Sequence, residues 1–547
     1  MWICGAHGRD AKETGILEEI MLENLYRNRG LNYSVWDTVL YEKARYQDGL
    51  TLVLNCAVCE VEMAGDAIAA VKAWHLTEQH WVRVEAKQFA DCSGDSILRL
   101  SGAETRWGRE ARHEFSESHA PEVADRKTMG NSLLLQLREI DPEQHRPFLA
   151  PEWAHVFDDN HLRVRTQAKP KGNNFWWIEI GGEQDTIDDA DAIRDELYRI
   201  AFGVWAYIKN HPDGRGHTWE LEWLGPLPGK RENVRYVGDH SLSQTDIEDC
   251  GRFDDVVCHG GWTMDDHFPA AFQHDGPPTI FHPAPSPFGI PYRCLYSANI
   301  TNLYCAGRNI SCTHMAMSAT RVMATCATMG QAVGTAAAIA HARGTTARGV
   351  YQHHLLELQR ALLEDDQYLP GRQRPLPTGS TTATLAVSHG DGSALHDGID
   401  RRLGDDTHWF ELPLGGWLEQ RFPAPTTLGR LRLIGDSQLH RSKRMPCSWP
   451  QKGHDQAGPP GLPRDLVVEV ERSPGTWETV TTVRNNRRRL LSIPLPGAGL
   501  AVRATITATW GDENATLFAC DVGVCEPTGD ITVTAWPAKA VTAHASA

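Results

Sequence analysis

The stretch Leu303–Ala340, "LYCAGRNISCTHMAMSATRVMATCATMGQAVGTAAAIA", decides how the chain is read. Leu303 to Ala306 reads as a short strand and Gly307 as a turn. Ser318 to Ala340 then reads as one helix made almost wholly of Ala, Gly, Thr and Met. Such a helix can be a membrane span, a core helix, or a helix whose N-terminus faces an anion. Thr325, Thr328, Gln331 and Thr335 interrupt the apolar run, and a mean hydropathy of −0.41 argues against the first. Gly330 and Gly334, followed a turn later by Ala337 and Ala338, predict a face that another backbone can approach. Unpaired N–H groups at the helix start suit phosphate or an electron-rich ring edge. Arg321 there opposes the macrodipole and predicts an anion beside it.

With 547 residues the chain exceeds one ordinary core and predicts two or three domains. Hydrophobic residues at 41% and charged ones at 23% are the proportions of a soluble globular protein. A formal charge of −16 leaves no basic excess for nucleic acid or an anionic membrane surface, so neither partner is expected. Arg487-Arg488-Arg489 is the one short basic run, and it reads as a solvated strand end. Thirteen scattered cysteines argue for a reducing compartment, so a cytoplasmic location is expected, with no signal peptide in view. Cys56 and Cys59 form a CxxC inside "TLVLNCAVCEVEM", which alternates like a strand. No second pair accompanies it, so no metal site is expected.

Along the chain, "MWICGAHGRDAKETG" is a Gly-rich loop leading into a helix with Ile16, Leu17, Ile20, Met21 and Leu25 on one face. "ADAIRDELYRIAFGVWAYIKN" gives a strong helix, with Ile193, Leu197, Ile200, Ala201, Val204 and Ile208 aligned and Asp188 or Asp189 as its cap. Pro, Gly, Ser and Thr gather around 376–390, which predicts a linker. Beyond it the period changes to two, and residues 391–530 read as a β-sandwich followed by a tail at 531–547.

The order of several motifs resembles an FAD-dependent oxidoreductase family related to the flavin domain of heterodisulfide reductase. They are "FADCSGDSILRLSGAETRWGRE", "WWIEIGG", "LPGKRENVRYVGDHSLSQTDI", "HGGWTMDDHFP", "GIPYRCLYSANITNLYCAGR" and the helix quoted above. The resemblance covers roughly 1–345 and implies a two-dinucleotide-binding-domain α/β flavoprotein fold over residues 1–375, with FAD and substrate subregions interleaved. It also implies that Val58, Cys92, Ser93, Gly94, Asp95, Gly307, Arg308, Arg321, Val322 and Met323 contact FAD. No GxGxxG occurs in the sequence, so the chain resembles a member without the first βαβ unit, and impaired FAD binding is expected. An export signal could be lost with that unit. A cubane iron–sulfur cluster, present in some relatives, has no matching cysteine run here. The C-terminal region resembles galactose-binding-like, discoidin-type modules, which implies glycan binding, with Trp409 and the His440-to-Gly461 loop as candidates.

Flavin oxidation of a hydroxyl needs a base, and histidine titrates near working pH. His314 lies between Arg308 and Arg321 and is the first candidate. His267 in "WTMDDHFP" is the second, oriented by Asp265 or Asp266, and His7 the third. Arg293 and Arg308 are candidates for holding a substrate carboxylate or phosphate, and Trp176, Trp177 and Trp262 for stacking on a sugar. The reading is hydride transfer to flavin from a small hydroxylated substrate, with carbohydrate derivatives as one candidate class. Two alternatives stay open: a noncatalytic glycan-binding protein with a decayed flavin domain, and a flavin-independent carbohydrate lyase or hydrolase.

Overall fold

The structure, a computed structural model, describes residues 4–8, 10–165, 175–404, 408–441, 443, 445, 458–523 and 531–534. Its organising feature is a parallel strand pair. Phe89–Asp91 runs beside Leu303–Cys305, with Phe89 opposite Leu303 and Asp91 opposite Cys305. Parallel strands end on the same side, so the turn Cys92–Asp95 and the turn Gly307–Arg308 emerge together. Leu303, Tyr304 and Cys305 are buried, as a parallel strand covered on both faces requires. An antiparallel meander, Cys56–Ala64, Ala67–His75 and His80–Glu85, leads into the first of these strands. The residues before Cys56, expected to be strand, are irregular.

The helix read as Ser318–Ala340 is two helices, His314–Thr320 and Met323–Arg343, meeting at 95°. The break has a local cause. Val322 is extended, and the N–H of Ala324 donates to the carbonyl of Cys4 at 2.9 Å, so an outside segment supplies an acceptor at the helix start. The buried face, from Ala324 to Ala340, packs on the strand Val256–Gly260 and the helix Leu355–Glu364. Gln331 on this face accepts the N–H of Ile16 at 2.9 Å and so ties down the helix Ile16–Arg27. The glycines do not serve a close approach as expected, since a Cβ at Gly330 or Gly334 meets nothing within 4 Å.

A second core forms around the helix Ala190–Lys209, whose predicted face is buried throughout. Asp189 is its N-cap residue without a capping hydrogen bond; instead Asp189 accepts the N–H of Asp185 at 3.0 Å. Beside this core a small antiparallel sheet sets Asn131–Ser132 between Glu179–Ile180 and Gly229–Lys230. That sheet brings Glu179 within 3.1 Å of Arg231.

The C-terminal domain is a sandwich of a five-stranded and a four-stranded antiparallel sheet around an aliphatic core. The stretch expected as linker carries a helix, Thr378–Thr382, and a strand, Thr384–Val387, that belongs to the five-stranded sheet. Of the expected tail, Thr532–Val533 pairs with Arg372–Gln373; residues 535–547 lie outside the described residues. Buried ion pairs dock the sandwich onto the first domain. Arg374 meets Asp400 at 3.0 Å and Asp521 at 2.6 Å, and Arg432 donates to the Glu364 carbonyl at 3.0 Å. The basic run is part of this interface and not a solvated strand end: Arg487 reaches Glu23 at 3.3 Å, Arg488 reaches Glu19 at 3.1 Å and Arg489 reaches Asp366 at 2.9 Å. A helix with acidic residues on its outer face attracts that run, and the sequence pattern of either partner alone does not show it.

Candidate active site

The strand Met264–His267 forms a hairpin with Thr279–His282. Successive side chains on a strand point to opposite faces, so Asp265 and Asp266 diverge. Each meets a different histidine. Asp265 Oδ2 lies 3.3 Å from His267 Nε2, and Asp266 Oδ1 lies 3.1 Å from His314 Nε2. The far nitrogen of each ring meets a fully buried glutamate: His267 Nδ1 faces Glu179 Oε2 at 2.7 Å, and His314 Nδ1 faces Glu232 Oε2 at 2.8 Å. The site is therefore a pair of Glu–His–Asp relays sharing one strand.

Backbone and arginine partners fix the glutamates. Glu179 accepts the N–H of Gly130 at 2.9 Å and pairs with Arg231 at 3.1 Å. Glu232 accepts the N–H of Met129 at 2.9 Å. Arg235, also buried, lies 3.2 Å from Glu110, which accepts the backbone N–H of His314 at 2.8 Å. Burial by itself would strip the proton from His314, but Glu232 and Asp266 outweigh it and push the ring up to about 10. Both nitrogens then donate, and His314 is held as an imidazolium at neutral pH. Burial also works against ionised Asp265, and His267 with Arg321 more than reverses it, holding that carboxyl well below the usual range.

Arg321 has its anion inside the protein. Its guanidinium donates to the Asp265 carboxylate at 3.0 Å and to the Asp265 carbonyl at 3.1 Å. Arg308 pairs with Asp95 at 2.6 Å, and Lys230 joins the same carboxylate at 3.0 Å. Cys92, Ser93 and Gly94 lie in the same turn as Asp95, and Ser93 is fixed by its N–H to Asp91 at 2.9 Å. Val322 and Met323 open the long helix, whereas Val58 sits on the meander and packs on the main core.

Other candidates are drawn elsewhere. Arg293 is engaged by Asp255 at 2.9 Å and so is not a free substrate cation. Trp177 is a core residue, Trp176 sets its edge against His267 with centroids 5.3 Å apart, and Trp262 stacks on His7 at 4.2 Å. Trp409 lies under Arg402 at 4.0 Å, and most of the His440-to-Gly461 loop, including 446–457, lies outside the described residues. No group of three or more His, Cys, Asp or Glu side chains suited to a metal occurs among the described residues. Glu179, Glu232, Arg231, Arg235 and Glu110 escape sequence reasoning as functional residues. Glu179 alone carries a signal, a carboxylate inside the apolar run "WWIEIGG".

A parallel pair whose turns carry Gly94 and Gly307, beside a long helix start and a buried acid–base cluster, has the form of an α/β dinucleotide-binding body. The chain belongs to the FAD dependent oxidoreductase family, whose model matches residues 1–362. No curated protein matches the sequence. Among solved structures, the chain is similar to the family 32 carbohydrate-binding module from Streptococcus pneumoniae EndoD. The identity is 15%, covering 27% of this chain and 96% of that one, with a TM-score of 0.21. It is also similar to the family 32 module from Clostridium perfringens NanJ in complex with galactose. There the identity is 12%, the coverage 26% and 95%, and the TM-score 0.19.

The residues present fit a flavin dinucleotide. Arg308 Nε, Arg321 Nε and the Trp262 indole N–H are buried donors without a partner among the described residues. Buried donors left unpaired are costly, and an acceptor-rich, anionic group satisfies them. Gly94, at φ +71°, lets the chain turn where a Cβ would lie 2.5 Å from the Arg308 guanidinium.

Proposed function

We propose that the protein is an FAD-dependent oxidoreductase that oxidises a hydroxyl group of a small, carbohydrate-derived substrate, with the paired relays as its acid–base machinery. The observation that carries this reading is the convergence of two Glu–His–Asp relays on adjacent residues of one strand, next to half-buried arginines whose buried Nε donors are unpaired. In this reading Ser93, Gly94, Asp95, Gly307 and Arg308 hold the dinucleotide, and Val322 and Met323 present the helix start. Bound flavin supplies the hydride acceptor.

The chain's own groups divide the remaining work. The His314 imidazolium keeps a fixed positive charge beside the reaction site and stabilises negative charge that develops there. His267 Nε2 makes the longest contact of the two relays, 3.3 Å, so a substrate hydroxyl displaces Asp265 from it most easily. In this reading His267 enters the step as neutral imidazole, its Nε2 lone pair takes that proton, and Nδ1–H donates to Glu179, which holds the ring. Arg321 keeps Asp265 in place as the exchange occurs. The sandwich is proposed to bind glycans and bring the oxidoreductase to a polymeric source of its substrate.

Anaerobic mixing of FAD-loaded protein with a panel of sugars, sugar acids and polyols tests the reading. Bleaching near 450 nm by at least one of them is expected, and H267Q abolishes it. Glycan-array binding without bleaching by any compound favours a noncatalytic glycan-binding protein and overturns the proposal.

A further inference from the structure

The outer end of the His314 relay leads to solvent. In the hairpin, Met264 is opposite His282 and Asp266 is opposite Ile280. Opposed residues share a face and alternate residues repeat it, so Asp266 and His282 project to the same side. His282 stacks on His119 with ring centroids 3.8 Å apart and planes 21° from parallel. The helix Gln244–Glu248 holds the outer ring: Gln244 accepts the backbone N–H of His119 at 3.0 Å, and Glu248 lies 4.0 Å from His119 Nε2. Exposure falls along this row from 32% for the His119 side chain to 2% for His314.

Two imidazoles in face contact cannot both carry a proton cheaply. The charged and titratable groups facing His282 are His119, Asp266 and Glu248. Burial and His119 lower its proton affinity, while Asp266 and Glu248 oppose them. A ring that is ready to give up a proton, beside a carboxylate that holds one tightly bound histidine, is suited to passing protons between that histidine and water.

We propose that the stacked His119–His282 pair is the port through which the buried His314–Asp266 relay exchanges its proton with solvent, a role that rests on the oxidoreductase reading above. The proton released on hydroxyl oxidation goes to His267, so the port serves the other relay and keeps His314 charged by exchange with water. His119 and His282 act through Asp266 and are positioning residues for that exchange.

The test is solvent exchange of the His314 ring N–H protons in full-length protein labelled with 15N-histidine, without any substrate. Exchange is expected to slow by about tenfold or more in H282Q and in H119Q, and to recover on addition of imidazole. Unchanged exchange in both variants overturns the port, as does slowing that imidazole does not relieve. Flavin bleaching by the substrate panel is measured separately. Slowed exchange without any bleaching upholds the port and sinks the oxidoreductase reading, whereas bleaching with unchanged exchange does the reverse.

Discussion

Asp265 and Asp266 are neighbours in the chain and share no histidine: Asp265 meets His267 at 3.3 Å, and Asp266 meets His314 at 3.1 Å. One extended strand thus serves two acid–base relays, because its side chains alternate between faces. The arrangement separates their roles. Asp265 also neutralises Arg321, while Asp266 looks toward the stacked histidines.

Removing the Asp265 charge leaves half-buried Arg321 without its counterion. D265N is expected to cost folding stability, by less than the range of about 3–5 kcal/mol for breaking a fully buried pair. D266N leaves Arg321 paired and is expected to cost less. Urea denaturation of the two variants checks the order, and equal losses would show that the relays are not independent.

His314 predicts a pH dependence of definite sign. Its ordinary value is 6.5 and the fold raises it to about 10. A raised histidine contributes stability that is fully present below pH 6.5 and is lost as pH rises through about 10. Thermal melting should therefore fall between those limits, and H314Q should flatten that part of the profile while lowering stability at neutral pH.

Arg374 joins the domains through Asp400 and Asp521, and both pairs are buried. R374M takes the nearer arginine from Asp521 and leaves Asp400 and Asp521 to share Arg432, at 2.9 Å and 3.7 Å. A loss below the range of about 3–5 kcal/mol for a fully unpaired buried charge is therefore expected. Limited proteolysis between residues 376 and 390 should accelerate in this variant. Protection equal to that of the unaltered protein would show that the other interface pairs suffice for docking.

No GxGxxG occurs within residues 1–547, so under the proposed function the turns after the two parallel strands would hold the pyrophosphate. FAD affinity, followed by fluorescence quenching, is expected to be no tighter than about micromolar. A charge-assisted hydrogen bond contributes about 1.5–3 kcal/mol, so R308A should weaken binding at least about tenfold. Submicromolar binding by the unaltered chain would refute this prediction.

Local patterns carried much of the fold. The face of Ala190–Lys209 and the change to a two-residue period after the first domain were legible, because burial repeats with the geometry of helix or strand. The strand Leu303–Cys305 and its Gly307 turn were legible for the same reason. The helix break at Arg321–Val322 was not, since it depends on the Cys4 carbonyl and the Asp265 carboxylate, both distant in sequence.

By itself the sequence determined an α/β body with a β-sandwich after it, and it singled out His314, His267, Asp265 and Arg321. Only the tertiary structure decided what they face. Arg321 finds its anion in Asp265, His314 keeps its proton between Glu232 and Asp266, and the Arg487–Arg489 run clamps the two domains. Periodicity reports which side of an element is buried. Charge pairing between segments far apart in sequence follows from how those buried sides meet.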